Sequence, residues 1–477
     1  YSPSLQYYVP NAYQGLVGRL TYEYASRYLA EFNMGYNGTE NFAKGKRFGF
    51  FPAVSLGWVI SEEKFFPKNN IVKYLKVRGS YGEVGNDQIG GDRFLYLPSS
   101  YGAASDSGVN KYNFGLASNP YTSLMIVENK IGNPDLTWEK AKKMNVGVDI
   151  NLFNNCLTAS FDIFKEKRNN ILANRSTSPM IIGANLPAYN FGEMENRGWE
   201  MDLNFRHHIQ DFHYWARFNY SFARNEIIYM DEVQKRYDYQ MTTGRRKNQF
   251  FGLIFDGYYN SWEEINALDR PKSSWSGNQL QPGDVKYVDV NQDGVIDDYD
   301  MVPIGYTPVP EIIYGFSFGA QYKGFDFSIL FQGADNVSIK YFGRSMWPFA
   351  KGEESAKSLI KERWTQERYE AGEKITFPRL SLNPNGETDH NYRPSTLWIR
   401  DARYLRLKNL EVGYTFTGGF VKRLNLNSVR LYFNGSNLFT WTDVVDLDPE
   451  APSRSGNVEI NTYPLQKVYN IGLNINF

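Results

Sequence analysis

The chain ends in a run whose two sides differ. Tyr469, Ile471, Leu473, Ile475 and Phe477 alternate with Asn470, Gly472, Asn474 and Asn476. Successive side chains of a strand point to opposite faces, so this run predicts a strand whose faces meet different surroundings. One such strand would suit any half-buried sheet. The pattern recurs, however, with strongly aromatic apolar sides. Phe325, Phe327, Ile329 and Phe331 alternate with Asp326, Ser328, Leu330 and Gln332. Trp199, Met201, Leu203 and Phe205 oppose Glu200, Asp202 and Asn204, and Leu157, Ala159, Phe161 and Ile163 oppose Thr158, Ser160 and Asp162. Similar runs surround Tyr28–Tyr36, Phe212–Tyr220 and Tyr314–Tyr322, and others begin near Leu16, Phe48, Tyr74, Lys142, Tyr404 and Val429. Each run is close to the roughly 9–11 residues that a tilted strand needs to cross a bilayer.

The count comes to about thirteen strands, and the connections between them alternate in length. Short ones fall at Ser26-Arg27, Asn154-Asn155, His208–Asp211, Lys323-Gly324 and Thr417–Asn427; long ones cover 86–136, 167–196, 229–310, 334–402 and 440–466. Short turns on one side and long loops on the other are the habit of outer-membrane barrels. The fold class expected is therefore all-β, a transmembrane antiparallel β-barrel, with residues 1–477 as one portion of a single barrel domain. In this register the last strand runs toward the periplasm and the first begins outside. An odd strand number, with no opening Met or leader, leads us to expect further strands upstream. One loop shows helical spacing, from Glu353 to Glu370 with Leu359, Ile360, Arg363 and Trp364 on one side.

Composition sharpens this reading. Aromatics make up 16% of 477 residues, with 35 Tyr, 33 Phe and 41 Gly, which suits strands and tight turns. Lys+Arg and Asp+Glu both number 52, so no cationic excess is present to neutralise phosphates and no nucleic-acid partner is expected. A single cysteine, Cys156, excludes a disulfide framework. No apolar run reaches the roughly 18 residues of a helical span, which says nothing against strands.

The sharpest chemical motif is Asp289-Val290-Asn291-Gln292-Asp293-Gly294-Val295-Ile296-Asp297-Asp298-Tyr299-Asp300. It follows the EF-hand loop, with side-chain oxygens at positions 1, 3 and 5, glycine at 6 and an apolar residue at 8. Hard cations take a sphere of oxygens, and the glycine lets the chain turn around the ion. The expected ligands are Asp289, Asn291, Asp293, the Val295 carbonyl, Asp297 through water, and Asp300. Position 12 is Asp rather than Glu, which puts Mg²⁺ beside Ca²⁺ as the structural ion. The competing reading is a solvated acidic turn. His207, His208, His213 and His390 lack ligand spacing and read as packed or solvated. No nucleophile elbow or phosphate loop occurs, and no carboxylate pair stands out, so no enzyme is expected. Loop aromatics Tyr96, Tyr101, Tyr112, Tyr121, Trp262, Trp275, Trp347 and Phe349 could stack on sugar rings or simply pack the loops.

Several stretches, in order, resemble the SusC-like and RagA-like branch of TonB-dependent outer-membrane transporters of Bacteroidota. They are Arg47–Trp58, Lys76–Gly82, Asn133–Glu139, Asn196–Glu200, Gly283–Tyr287 leading into the acidic loop, and Leu397–Leu410. The resemblance implies the later strands of a barrel of about 22, energised import of large nutrients, and location in a Gram-negative outer membrane. Oligosaccharides are the expected cargo, with oligopeptides the alternative within the family. It also implies a SusD-like surface lipoprotein as a lid, contact with TonB, surrounding outer-membrane lipid, and room for a dimer of transporter–lid pairs. The plug, N-terminal extension and TonB-contacting segment have no counterpart in these residues. The resemblance further implies that a terminal aromatic such as Phe477 is read during barrel insertion. Two other classes compete: a passive or structural barrel, and a soluble Ca²⁺-containing carbohydrate-active enzyme or lectin. The aromatic faces and the loop asymmetry speak against the second.

Overall fold

The computed structural model describes residues 12–88, 94–97, 101–103, 111–116, 121–128, 131–177, 186–275, 279–341, 347–349, 358–381, 389–450 and 465–477. Thirteen strands form one sheet, each antiparallel to the next in the chain. They are β1 Tyr13–Tyr24, β2 Tyr28–Thr39, β3 Phe48–Val59, β4 Val72–Asn86, β5 Glu139–Leu152, β6 Leu157–Ala173 and β7 Tyr189–Ile209. The remainder are β8 Phe212–Tyr229, β9 Ile312–Tyr322, β10 Phe325–Asp335, β11 Tyr404–Phe416, β12 Ser428–Thr442 and β13 Val468–Asn476. The expected strand number and the all-β class both hold. No helix among the described residues is long and apolar enough to cross a membrane, as a barrel wall requires none.

The alternation in the sequence becomes two unlike faces. In-register rows such as Val77, Val148, Phe161 and Met201 make one face apolar across four strands. That face is bare: Val146, Ile163, Leu431 and Ile471 are all exposed. In water this much uncovered apolar wall would be a liability, whereas against lipid it is the required solvent contact. The other face is polar and stitched by ions. Arg78 on β4 bonds Asp149 at 3.0 Å and Asp162 at 2.6 Å on the next two strands. Arg430 on β12 reaches Glu411 at 2.6 Å and also pairs with Asp326.

Turn chemistry sets the inner rim. At the tight β9–β10 turn Lys323 and Gly324 have φ of 44° and 90°. Such left-handed pairs match the twist of a two-residue hairpin, and glycine takes the second place without strain. The loop asymmetry is less strict than expected. The inner connection 60–71 is long and carries a 3-10 turn, Ile60–Glu62, while the outer connection 40–47 is short. Strands β6 and β7 also extend into the expected loop 167–196, leaving 174–188, because their ladder continues past the apolar rows to Ala173 and Tyr189.

The expected helix over 353–370 is not continuous. A 3-10 turn covers Ser358–Glu362 and a short helix covers Gln366–Glu370, with Thr365 as its cap; residues 353–357 lie outside the described residues. Between them Trp364 is buried, and its N–H bonds the Phe377 carbonyl at 2.7 Å. Burial of that indole outweighs helical propensity, which is a weak local preference.

Candidate functional site

The largest buried core belongs to the outer connections rather than to the sheet. It gathers Leu253, Tyr258, Val285 and Tyr287 from the β8–β9 connection, Phe377, Tyr392, Leu397 and Trp398 from the β10–β11 connection, and Val444 beyond β12. Three loops far apart in sequence thus share one packed interior at the mouth. A polar network runs through it. Asp284 accepts from Asn391 Nδ2 at 2.8 Å and pairs with Arg379 at 2.5 Å. The Val285 N–H donates to Asn391 Oδ1 at 2.9 Å. His390 is 8% exposed; its Nε2 lies 2.8 Å from the Val285 carbonyl and its Nδ1 2.9 Å from Ser273 Oγ. That arrangement fits the neutral ring, with Nε2–H donating and Nδ1 accepting. Burial lowers the His390 pKa, although the nearby carbonyl and acidic groups oppose the shift.

A second network ties the β12–β13 connection to the wall. Arg406 on β11 is 2% exposed and bonds Asp448 at 2.8 Å, Glu450 at 2.5 Å and Thr440 Oγ1 at 2.9 Å. Lys408 lies 3.8 Å from Glu450 and sits where the β10–β11 and β11–β12 registers slip by one. The slip lets the wall turn an extra cation toward the loop carboxylate. Burial opposes ionisation of Asp448, but the Arg406 bonds outweigh it and hold its pKa below the usual carboxylate range.

The acidic loop is folded as a tight set of side-chain-to-backbone bonds. Gly294 has φ of 82°, and its N–H donates to Asp289 Oδ2 at 2.8 Å. Asn291 Oδ1 accepts from the Asp293 N–H at 3.0 Å, and Asp293 Oδ1 from the Val295 N–H at 3.0 Å. Asp300 is fully buried; its Oδ1 accepts from Val290 N at 2.8 Å and its Oδ2 from Asp297 N at 2.9 Å. Burial raises the Asp300 pKa, with Asp289 adding like-charge repulsion. Asp297 accepts from the Tyr299 N–H at 2.7 Å and caps the short 3-10 turn Asp298–Asp300. Counting only acidic, His and Cys side chains, the described residues hold no cluster of three placed for an ion. The loop's oxygens also include an amide and a carbonyl. One oxygen, Asp289 Oδ1, is sealed from solvent without a hydrogen-bond donor, an arrangement that is costly unless a cation meets it.

The loop aromatics divide. Trp347 is buried against Tyr392, and Trp275 packs on the loop core with the Arg393 guanidinium 4.0 Å over its ring. Tyr96 and Phe349 are half-buried. Trp262, Tyr112 and Tyr121 are exposed, at 54%, 64% and 73%. The Tyr101 side chain lies outside the described ones. His207 stacks on Tyr214 and His208 on His213 at the inner rim, with all three histidines exposed. Local sequence gave no sign of the His390–Asn391–Asp284 network, because its partners lie about a hundred residues apart.

Comparison with known proteins agrees with this architecture. Residues 3–438 match the family described as TonB dependent receptor-like, beta-barrel. TonB-dependent receptor P3 of Formosa agariphila is 28% identical over 479 residues, covering 96% of this chain and 45% of that protein. TonB-dependent receptor SusC of Bacteroides thetaiotaomicron is 28% identical over 477 residues, covering 99% and 44%. The RagAB peptide transporter structure superposes with a TM-score of 0.72 at 23% identity, over 98% of this chain and 47% of that one, a likeness of fold. The chain spans about half the length of the curated relatives it matches.

Proposed function

The chain belongs to the TonB-dependent receptor-like β-barrel family, whose members are outer-membrane transport proteins of Gram-negative bacteria and not enzymes; on that premise we propose that it forms wall and outer mouth of an energy-coupled importer of large nutrients, oligosaccharides above all. The observation that carries this is the shared core of three outer connections, fixed to the wall through Arg406. A passive barrel needs only flexible loops, whereas a selective mouth needs surfaces held in place. Exposed flat rings at Trp262, Tyr112 and Tyr121 favour a sugar cargo, since sugar faces stack on aromatics. A SusD-like lipoprotein over this mouth, TonB below and a pairing of transporter–lid units complete the reading.

Uptake decides it. Cells carrying the intact protein should take up labelled oligosaccharide only with TonB present. Uptake of oligopeptide instead would transfer the protein to the peptide branch. Diffusion independent of TonB would return it to the passive reading.

The acidic loop is proposed to hold one structural divalent cation, Ca²⁺ or Mg²⁺, through Asp289, Asn291, Asp293, the Val295 carbonyl and Asp300, with Asp297 second to it. The lone Asp289 Oδ1 supports this. An ion there would offset the repulsion among the loop carboxylates. Chelator should then speed proteolysis within residues 280–305 while the barrel persists. Unchanged cleavage leaves an ordinary acidic turn.

A further inference from the structure

The outward face does not end where its apolar rows end. On β5–β8 the last apolar row is Val146, Ile163, Trp199 and Phe222. One row further out, Lys165, Arg197 and Arg224 stand side by side in register on β6, β7 and β8. Beyond them Lys142 of β5 faces Lys167 of β6 directly. Like charges directly opposite on neighbouring strands destabilise a sheet unless something neutralises them.

Carboxylates meet only part of this demand. Lys165 pairs with Glu195 and Lys167 with Glu193, both at 2.9 Å, and Arg224 with Glu311 at 2.8 Å. Arg197 and Lys142 are exposed, and neither has an ion-pair partner among the described residues. Their height is informative. A strand rises about 3.3 Å per residue, or about 2.5 Å along the membrane normal at the usual barrel tilt. Arg224 stands ten residues above Tyr214 on the same face, which places it about 25 Å up, at the outer edge of the apolar band. Lys142 stands equally far above Leu152. The strands β6, β7 and β8 have 17, 21 and 18 residues, so they carry this face on through the headgroup layer.

We infer that this rim patch, Lys165, Arg197 and Arg224 with Lys142 and Lys167, binds phosphate groups of the glycolipids that make up the outer leaflet. Three facts point to a lipid source. The cations are continuous with the lipid-facing rows, they lie outside rather than within the lumen, and Arg presents a fork that matches phosphate oxygens. The inference rests on the outer-membrane placement of the barrel and not on what the barrel imports.

The test is lipid retention by the intact detergent-purified protein, read by native mass spectrometry. The probes are phosphorylated lipid A, its dephosphorylated form and inorganic pyrophosphate. Phosphorylated lipid A should bind, and Arg197→Gln and Lys142→Gln should each weaken retention about fivefold, the worth of one cation at a charged surface. Lys143→Gln is the control, because Lys143 sits on the same strand but faces the lumen beside Glu166. It should change nothing. Equal retention of dephosphorylated lipid, or an equal effect of Lys143→Gln, overturns the proposal. So does displacement of lipid by pyrophosphate, which would mark a soluble-anion site. A variant that loses self-association but keeps its lipid would make the patch a protein interface and overturn it too.

Discussion

Ile329 sits where the lipid-facing reading can be measured. It is flanked in register by Phe318 and Leu410 on the bare face of β10. It stands five residues above Gly324, or about 13 Å at about 2.5 Å per tilted residue, half of the roughly 25 Å band. Ile329→Arg therefore places a guanidinium near the midplane and should cost about 2–4 kcal/mol. Phe325→Arg, on the same face beside the turn and 60% exposed, should cost only about 0–1 kcal/mol because the head reaches the interface. Ser328→Arg points to the opposite, ion-paired face and should lack any lipid penalty. Reversible urea unfolding of the intact protein in lipid vesicles gives the three values. The depth dependence is the sharp part. If Ile329→Arg and Phe325→Arg cost the same, or Ser328→Arg matches Ile329→Arg, the face assignment is wrong.

Three further outcomes follow from the outer loops and the terminus. Arg406→Met leaves Asp448 and Glu450 facing each other without their buried cation, so residues 443–450 should become protease-sensitive, with a local cost of about 3–5 kcal/mol; full resistance would show that packing alone holds the loop. The lowered His390 pKa means that the unfolded loop binds a proton more readily than the folded one, so cap stability holds above a pH of about 6.5 and falls as pH drops below it. Hydrogen exchange around residues 284–287 and 390–392 should speed on acidification, and His390→Leu should abolish that pH dependence. Deleting Phe477, which is 87% exposed, should reduce the amount of protein reaching the outer membrane; unchanged surface levels would end the insertion-signal reading.

The wall was legible because its rule is local: period two, repeated, with aromatic faces and turn residues between. Even the inner turn at Lys323-Gly324 could be read from residue type. The register slip beside Lys408 could not, since an extra residue in one strand leaves the alternation on both sides intact. The helical spacing around Trp364 misled because burial in a distant core decides that segment. The acidic loop was placed by its motif. Its inward bonds were not foreseen, with Asp297 acting as a cap and Asp300 closing the turn on backbone N–H groups. For the loop aromatics residue type left stacking on sugar and packing of the loops both open, and Trp347 takes the packing role because the loop core buries it.

The cap at the mouth joins partners that are remote along the chain. Asn391 meets Asp284 across 107 positions, His390 meets Val285 across 105, and Tyr341 meets Val445 across 104. No one of the three connections can complete this core before the others have crossed to the outer side. Contacts of such long separation form slowly, because loop closure must precede the burial that rewards it. The hairpins β1–β2, β5–β6, β7–β8 and β9–β10 close on short turns and face no such delay, whereas β8 and β9 pair across the same long connection that feeds the mouth. Assembly should therefore pass through a stage with these hairpins formed and the mouth still unmade. During that stage the connections are open to surface proteases and to any chaperone that waits there.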